Sequence, residues 1–288
     1  MKKPFRDIYG NKYNSLEDIP EGSIFDKLNL SEMEFTELPE KLATITVRLL
    51  NLEECKSLTS LKGLPKGLKK LNCSDTSITS LEGLPEGLKE INCTFCNSLE
   101  TLKGCPESVE KIKGSFCRSL KTLENCPKGL KVLYCSRAPI TSLKGLPQGL
   151  RVFECIDTNI TLEGLPRGLK VLYCSCNKIT SLKGVPNGIK IIYCKICANL
   201  TSLENVPKGI EKINCEGCNK IEYIPDYIPN KAIKGLPKEK IAECKANWKK
   251  EHERKLALER QKAEIVKRFM KVTTAACNAN KTDKVHEQ

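Results

Sequence analysis

Residues 63–73 read GLPKGLKKLNC, and nearly the same text returns as GLPEGLKEINC at 83–93, GLPQGLRVFEC at 145–155 and GLPRGLKVLYC at 164–174. Aligned on the prolines at 65, 85, 106, 127, 147, 166, 186 and 207, the copies step by 20, 21, 21, 20, 19, 20 and 21 residues. A fixed period of this size marks one structural unit stacked on copies of itself, because a unit so short cannot bury an apolar face alone.

Within one unit, residues 68–81, the apolar positions are Leu68, Leu71, Cys73, Ile78 and Leu81. They match the leucine-rich repeat pattern L-x-x-L-x-L/C-x-x-N/C-x-L. The alternation around Leu71 and Cys73 predicts a short strand, and successive strands stack in parallel. A period near 20 leaves too few residues for a helix on the opposite side. The Pro and Gly of LPKGLK point instead to an extended, polyproline-like return and a tight turn. The expected fold is an α/β leucine-rich repeat solenoid of about nine or ten strands, with a concave strand face, an extended convex side and a C-terminal helical tail.

The repeat also governs the cysteines. CKICANLTSLENVPKGIEKINCEGC at 194–218 holds two Cys-x-x-Cys pairs, a spacing that fits a zinc ribbon. In the repeat frame the first cysteine of each pair is an inward strand position, occupied along the chain by Cys73, Cys93, Gly114, Cys135, Cys155, Cys174, Cys194 and Cys215. The second is a polar-ladder position at the strand end, occupied by Thr76, Cys96, Cys117, Ala138, Thr158, Asn177, Cys197 and Cys218.

Where the ladder residue is Cys55, Cys96, Cys117, Cys197 or Cys218, the next apolar residue follows three positions later. After Thr76, Ala138, Thr158 or Asn177 it follows two later. A turn of two lengths explains that coupling and a metal ligand does not, so the cysteines read as small buried apolar residues and no metal or other cofactor is expected. Metal held by stacked thiols, Cys194 beside Cys215 and Cys197 beside Cys218, stays open as the alternative. Cys105 and Cys126 stand where other units have leucine, whereas Cys176, Cys244 and Cys277 lie outside the pattern.

The residues flanking the inward leucine point to the concave face. They are polar in the outer units: Lys70 and Asn72, Glu90 and Asn92, Lys111 and Lys113, and Lys212 and Asn214. The four units between carry Val132 and Tyr134, Val152 and Glu154, Val171 and Tyr173, and Ile191 and Tyr193. Strand preference alone favours Val, Ile and Tyr, but it does not confine them to consecutive copies. These eight residues are therefore the expected partner-binding set, because clustered tyrosines give large contact area at low entropic cost.

Residues 1–38 keep a damaged form of the pattern and read as an N-terminal cap, with the solenoid over 39–230 and a basic tail over 231–288. The tail holds sixteen Lys or Arg against eight Asp or Glu. Its stretch 239–271 lacks Pro and Gly, which predicts a helix, with the last dozen residues unstructured. A weak stripe through Ile241, Cys244, Trp248, His252, Leu256, Ala263, Val266 and Met270 fits a helix that caps the last coil and is solvated beyond it. Binding of an acidic surface or nucleic acid through 231–271 is the alternative.

Seventeen cysteines, an odd number, suit a reducing cytoplasm better than an oxidising compartment. The opening MKKPFRDIYGNKYNS is not followed by an apolar run, and no segment approaches the ~18 apolar residues of a membrane span. The only histidines are His252 and His286, and no phosphate-binding glycine loop or catalytic constellation is present, so an enzyme is not expected.

The LPxGLKxLxCxxxxIT units resemble the short bacterial leucine-rich repeats built around L-P-x-x-L-x-x-L-x-V-x-x-N-x-L-T, over about residues 39–224. That family comprises secreted effectors that act in a host cytosol as scaffolds or as recognition arms of ubiquitin ligases. The resemblance implies a non-enzymatic protein-binding module, reaching a host by a non-classical route, or an adaptor serving an enzyme. This chain uses Cys where those repeats have Val or Leu, its tail is too short for a ligase domain, and Cys244 in AECKAN lacks catalytic context.

Overall fold

The computed structural model describes residues 5–175 and 178–282. A short antiparallel hairpin pairs β1 (Phe5–Arg6) with β2 (Lys12–Tyr13). The body is one parallel sheet in sequential order: β3 (Ile24–Asn29), β4 (Thr46–Asn51), β5 (Lys70–Asn72), β6 (Glu90–Asn92), β7 (Lys111–Lys113), β8 (Val132–Tyr134), β9 (Val152–Glu154), β10 (Val171–Tyr173), β11 (Ile191–Tyr193), β12 (Lys212–Asn214) and β13 (Ile233–Lys234). Helix α1 (Lys238–Thr282) follows. At ~4.8 Å per strand the sheet is roughly 50 Å long. This is the leucine-rich repeat solenoid that the period implies.

The sheet has eleven strands against an expected nine or ten, because it continues past both ends of the recognisable text. Strand β3 lies within 1–38, where Phe25, Leu28 and Leu30 are buried without the LPxGL frame, and β13 lies within 231–288, where Ile233 takes the inward place.

Each short strand exposes its first and third residues in part and buries its second. The middle residues align without slippage from Leu50 and Leu71 through Ile91, Ile112, Leu133, Phe153, Leu172 and Ile192 to Ile213. Burying such a side chain contributes about 1.5–3 kcal/mol, so a strand too short to persist alone is held by its two neighbours.

The return path on the other side is two successive turns rather than a helix. In one unit the Leu146 N–H donates to the Leu143 carbonyl at 3.2 Å, and the Leu150 N–H to the Pro147 carbonyl at 3.1 Å. The glycine before each Leu-Pro is left-handed in most copies; at Gly83, φ is 95° and an added Cβ would lie 2.8 Å from the Leu61 carbonyl. Asn125, with φ 70°, fills the same place in the ENCP copy, as the residue after Gly most tolerant of that region.

Both ends of the sheet are covered. The hairpin lies over β3: the Ile8 N–H donates to the Ile24 carbonyl at 2.9 Å and the Tyr13 ring meets Phe25 at 6.1 Å. Its turn is gathered by Asp7, whose carboxylate accepts from the Tyr9 and Asn11 N–H groups, the Asn11 amide and the Tyr13 hydroxyl.

At the far end α1 docks through its first turns, burying Ile241 and Cys244 and half-burying Trp248, while Leu256, Ile265, Val266 and Met270 are exposed. The Cys244 thiol donates to the Ile221 carbonyl at 3.1 Å and the Lys245 ammonium to the Ile228 carbonyl at 2.7 Å. Helix α1 continues through Thr282, beyond Lys271 and into the segment expected to lack structure; no Pro or Gly interrupts 238–282.

One further position is left-handed in nearly every coil: Glu32, Glu54, Asp75, Phe95, Phe116, Arg137, Asp157, Ile196 and Gly217, with φ between 54° and 75°. It sits two residues past the inward strand-end residue, and its N–H donates to the next coil, as from Asp75 to the Thr94 carbonyl at 2.9 Å. The sheet's hydrogen bonding thus runs past the strands. Ile196 is β-branched and 65% exposed there, so its conformation costs about 1–2 kcal/mol with no burial in return. We expect Ile196→Gly to raise the thermal midpoint and Gly83→Ala to lower stability by about 1–3 kcal/mol; calorimetry on the two variants checks both signs.

Candidate functional site

The strand face has two flanking columns. The first runs Lys27, Leu49, Lys70, Glu90, Lys111, Val132, Val152, Val171, Ile191 and Lys212, and the second Asn29, Asn51, Asn72, Asn92, Lys113, Tyr134, Glu154, Tyr173, Tyr193 and Asn214. Sheet register therefore places Val132, Tyr134, Val152, Glu154, Val171, Tyr173, Ile191 and Tyr193 together on one face, all half-buried.

Side-chain detail separates them. The Tyr173 and Tyr193 rings stack in parallel, with centroids 4.6 Å apart and 2° between planes. The Lys212 ammonium lies 5.1 Å over the Tyr193 ring and donates to its hydroxyl at 3.3 Å. Partial burial, with Tyr193, Tyr134 and Glu154 nearby, raises the Tyr173 phenol above its ordinary range, so it stays protonated at neutral pH. Glu154 differs from its apolar neighbours: its carboxylate accepts from the Ser136 hydroxyl at 2.7 Å and from the Ser115 hydroxyl at 3.4 Å.

In the N-terminal coils the second column is an asparagine ladder. The Asn51 amide donates to Asn29 at 3.0 Å and the Asn92 amide to Asn72 at 2.9 Å. Each asparagine oxygen also accepts the N–H two residues on, as from Ser74 to Asn72 at 3.2 Å. This internal bonding is what Tyr134, Tyr173 and Tyr193 give up in the middle coils. Beside the ladder, Lys70 and Lys111 approach the two oxygens of Glu90 at 3.1 and 3.0 Å, with Lys113 at 3.7 Å. Partial burial opposes ionisation of Glu90, but the lysine hydrogen bonds outweigh it and hold the carboxyl below its usual range. A groove of 440 Å³ lies along these coils.

The cysteines form two stacked columns behind this face. A ladder cysteine donates to the carbonyl of the inward residue one coil back: Cys96 to Cys73 at 3.0 Å, Cys117 to Cys93 at 3.1 Å and Cys218 to Cys194 at 2.9 Å. Threonine instead bonds within its own coil, Thr76 to Cys73 at 2.8 Å and Thr158 to Cys155 at 2.7 Å.

That difference accompanies the two turn lengths in the Cys and Thr coils, while Ala138 takes the shorter path with no side-chain bond. In a cysteine coil the extra residue folds into a turn closed on the cysteine's own carbonyl, by Leu99 on Cys96 at 3.1 Å and Leu120 on Cys117 at 3.2 Å. Asn177 and Cys176 lie outside the described residues, as does His286.

Among the described residues no three His, Cys, Asp or Glu side chains are grouped to hold a metal. Cys194 and Cys215 approach to 3.9 Å. Burial pushes Cys105 and Cys126 up to about 12 and Cys135 well above its ordinary value. Those three thiols are poor metal ligands and poor nucleophiles, whereas bonds from neighbouring thiols lower Cys96 to about 7 and Cys218 to about 3.

The left-handed column supplies a surface that sequence reading missed. Phe95 stacks on Phe116 at 4.5 Å, Arg137 covers Phe116 at 5.1 Å, and Arg137 pairs with Asp157 at 3.2 Å. The signal in the sequence is a position read as Asp or Glu in four copies but Phe in two adjacent ones. In α1, Trp248 stacks on His252 at 4.5 Å and meets Tyr227 edge-on at 6.3 Å, so the only described histidine belongs to the cap.

No protein-family model matches the chain, and no curated protein matches it by sequence. Solved structures that match the chain include leucine-rich repeat proteins. YopM from Yersinia enterocolitica WA-314 matches over 74% of this chain and 53% of its own, at 19% identity and a TM-score of 0.41. The leucine-rich repeat domain of the type III effector XCV3220 (XopL) matches over 75% and 77%, at 17% and 0.41. CroV588, a circular leucine-rich repeat protein, matches over 73% and 42%, at 17% and 0.39. This chain thus spans about half of the YopM chain. No helix among the described residues is long and apolar enough to cross a membrane.

If the cysteines serve packing alone, the protein melts at the same temperature with and without a chelator and carries no zinc by native mass spectrometry. Stoichiometric zinc with a chelator-induced fall of several degrees would reverse that assignment.

Proposed function

We propose that the chain is a non-enzymatic module whose strand face binds another protein through the coils β8 to β11. The observation that carries this reading is the stacked, half-exposed Tyr173 and Tyr193 pair beside the Val132, Val152, Val171 and Ile191 column. These side chains add little to the core, which the middle strand residues already fill. They are also the aromatic and β-branched types that make contact surfaces when clustered and bordered by charge. An effector role in a host cytosol, a scaffold, or a recognition arm for an enzyme would each use this same face. The docked turns of α1 are assigned to capping, because Ile241, Cys244 and Trp248 are spent on the last coil.

The test is affinity capture with the wild-type chain and the double variant Tyr173→Ala, Tyr193→Ala as bait. Losing one aromatic stack costs about 0.5–1.5 kcal/mol, so the thermal midpoint should move little while retention of the wild-type chain's partner is lost. A variant that melts far lower, or one that keeps the partner, would contradict the proposal.

A further inference from the structure

We infer that the N-terminal half of the strand face receives an acidic stretch of the same protein partner, seated in the groove beside the asparagine ladder. This inference rests on the strand face being a protein-binding surface. The groups that meet the groove are Lys27, Lys70 and Lys113, with Lys111 adjoining, against Glu90; Glu53 reaches the rim through the Asn72 amide at 3.3 Å. Three lysines share the single Glu90 carboxylate, so the cluster keeps positive charge. Each ammonium has three N–H donors; Lys70 and Lys111 each spend one on Glu90 and Lys113, at 3.7 Å, spends none, which leaves donors for a second anion.

Glu90 also shows what kind of anion suits the cradle. Its two oxygens are taken separately by Lys70 and Lys111, the arrangement a carboxylate offers. The floor is neutral, being lined by asparagines, of which Asn51 and Asn92 donate along the ladder. A nucleic-acid strand fits less well: it wants aromatic rings interleaved with cations, and here the rings begin at Tyr134, past the lysines. An extended acidic segment running on into an apolar one would match both halves of the face in order.

The probe is a fluorescent glutamate-rich peptide ending in a leucine and phenylalanine block, titrated by anisotropy against the full chain, with a glutamine-for-glutamate counterpart. The Lys27→Gln, Lys70→Gln, Lys113→Gln variant changes two exposed side chains and the half-buried Lys113, and should fold. Its affinity should fall about tenfold, roughly 1.4 kcal/mol, with a shallower salt dependence. A matched variant on α1, Lys249→Gln, Lys250→Gln, Lys255→Gln, should bind as the wild type does.

Equal loss on the α1 variant, or equal binding of the glutamine peptide, would overturn the inference. So would tighter binding of a single-stranded oligonucleotide that the strand-face lysine variant abolishes. Loss of the peptide on Tyr173→Ala, Tyr193→Ala with none on the strand-face lysine variant would overturn the acidic seat while leaving the protein-binding face intact. Loss on the lysine variant alone would support the seat and count against the tyrosine face.

Discussion

Hydrogen bonding between one coil and the next is the constraint on which everything else in this solenoid rests. A three-residue strand with one inward side chain has no stability of its own. It gains it because strand N–H groups, the left-handed residue beyond the strand and, in several coils, a cysteine thiol all bond to an adjacent coil. The inward column must then stay in register, since a slip of one residue would turn leucines out and lysines in. The flanking columns are freer: asparagines and Glu154 still bond between coils, while the tyrosines and aliphatic residues of the middle coils are open to a different use.

The cysteines follow from the same constraint. A thiol is small enough for the crowded strand end and reaches the carbonyl one coil back, where threonine closes on its own coil instead. Cysteine and threonine are two solutions to one backbone problem, and the coils that use them differ in turn length. The zinc-like spacing at 194–218 is one repeat period between two such sites.

Much of this was legible in the sequence. The prolines set the period, the period set the inward column, and the residues flanking Leu71, Leu133 or Leu172 lie on the strand face where alternation puts them. What was not legible depends on backbone geometry that side-chain pattern does not encode. Phe95, Phe116 and Ile196 occupy a left-handed position for which their types are poor predictors. Strands β3 and β13 form because a paired edge is offered to them, and α1 runs past Lys271 because nothing in 238–282 breaks it. The bonding of Glu154 to Ser115 and Ser136 ties together residues from three coils, which no single copy of the repeat reveals.

The central claim is that in the middle coils the inward column holds the fold and the flanking tyrosines and aliphatic residues do not. Adjacent residues in β8 test it most directly: the stabilities of Leu133→Ala and Tyr134→Ala, measured by denaturant unfolding under one set of conditions. Leu133 is 1% exposed and its truncation should cost about 2–5 kcal/mol, whereas Tyr134→Ala should cost less than about 1 kcal/mol. Comparable losses at the two positions would contradict the division and return the tyrosines of the strand face to the core.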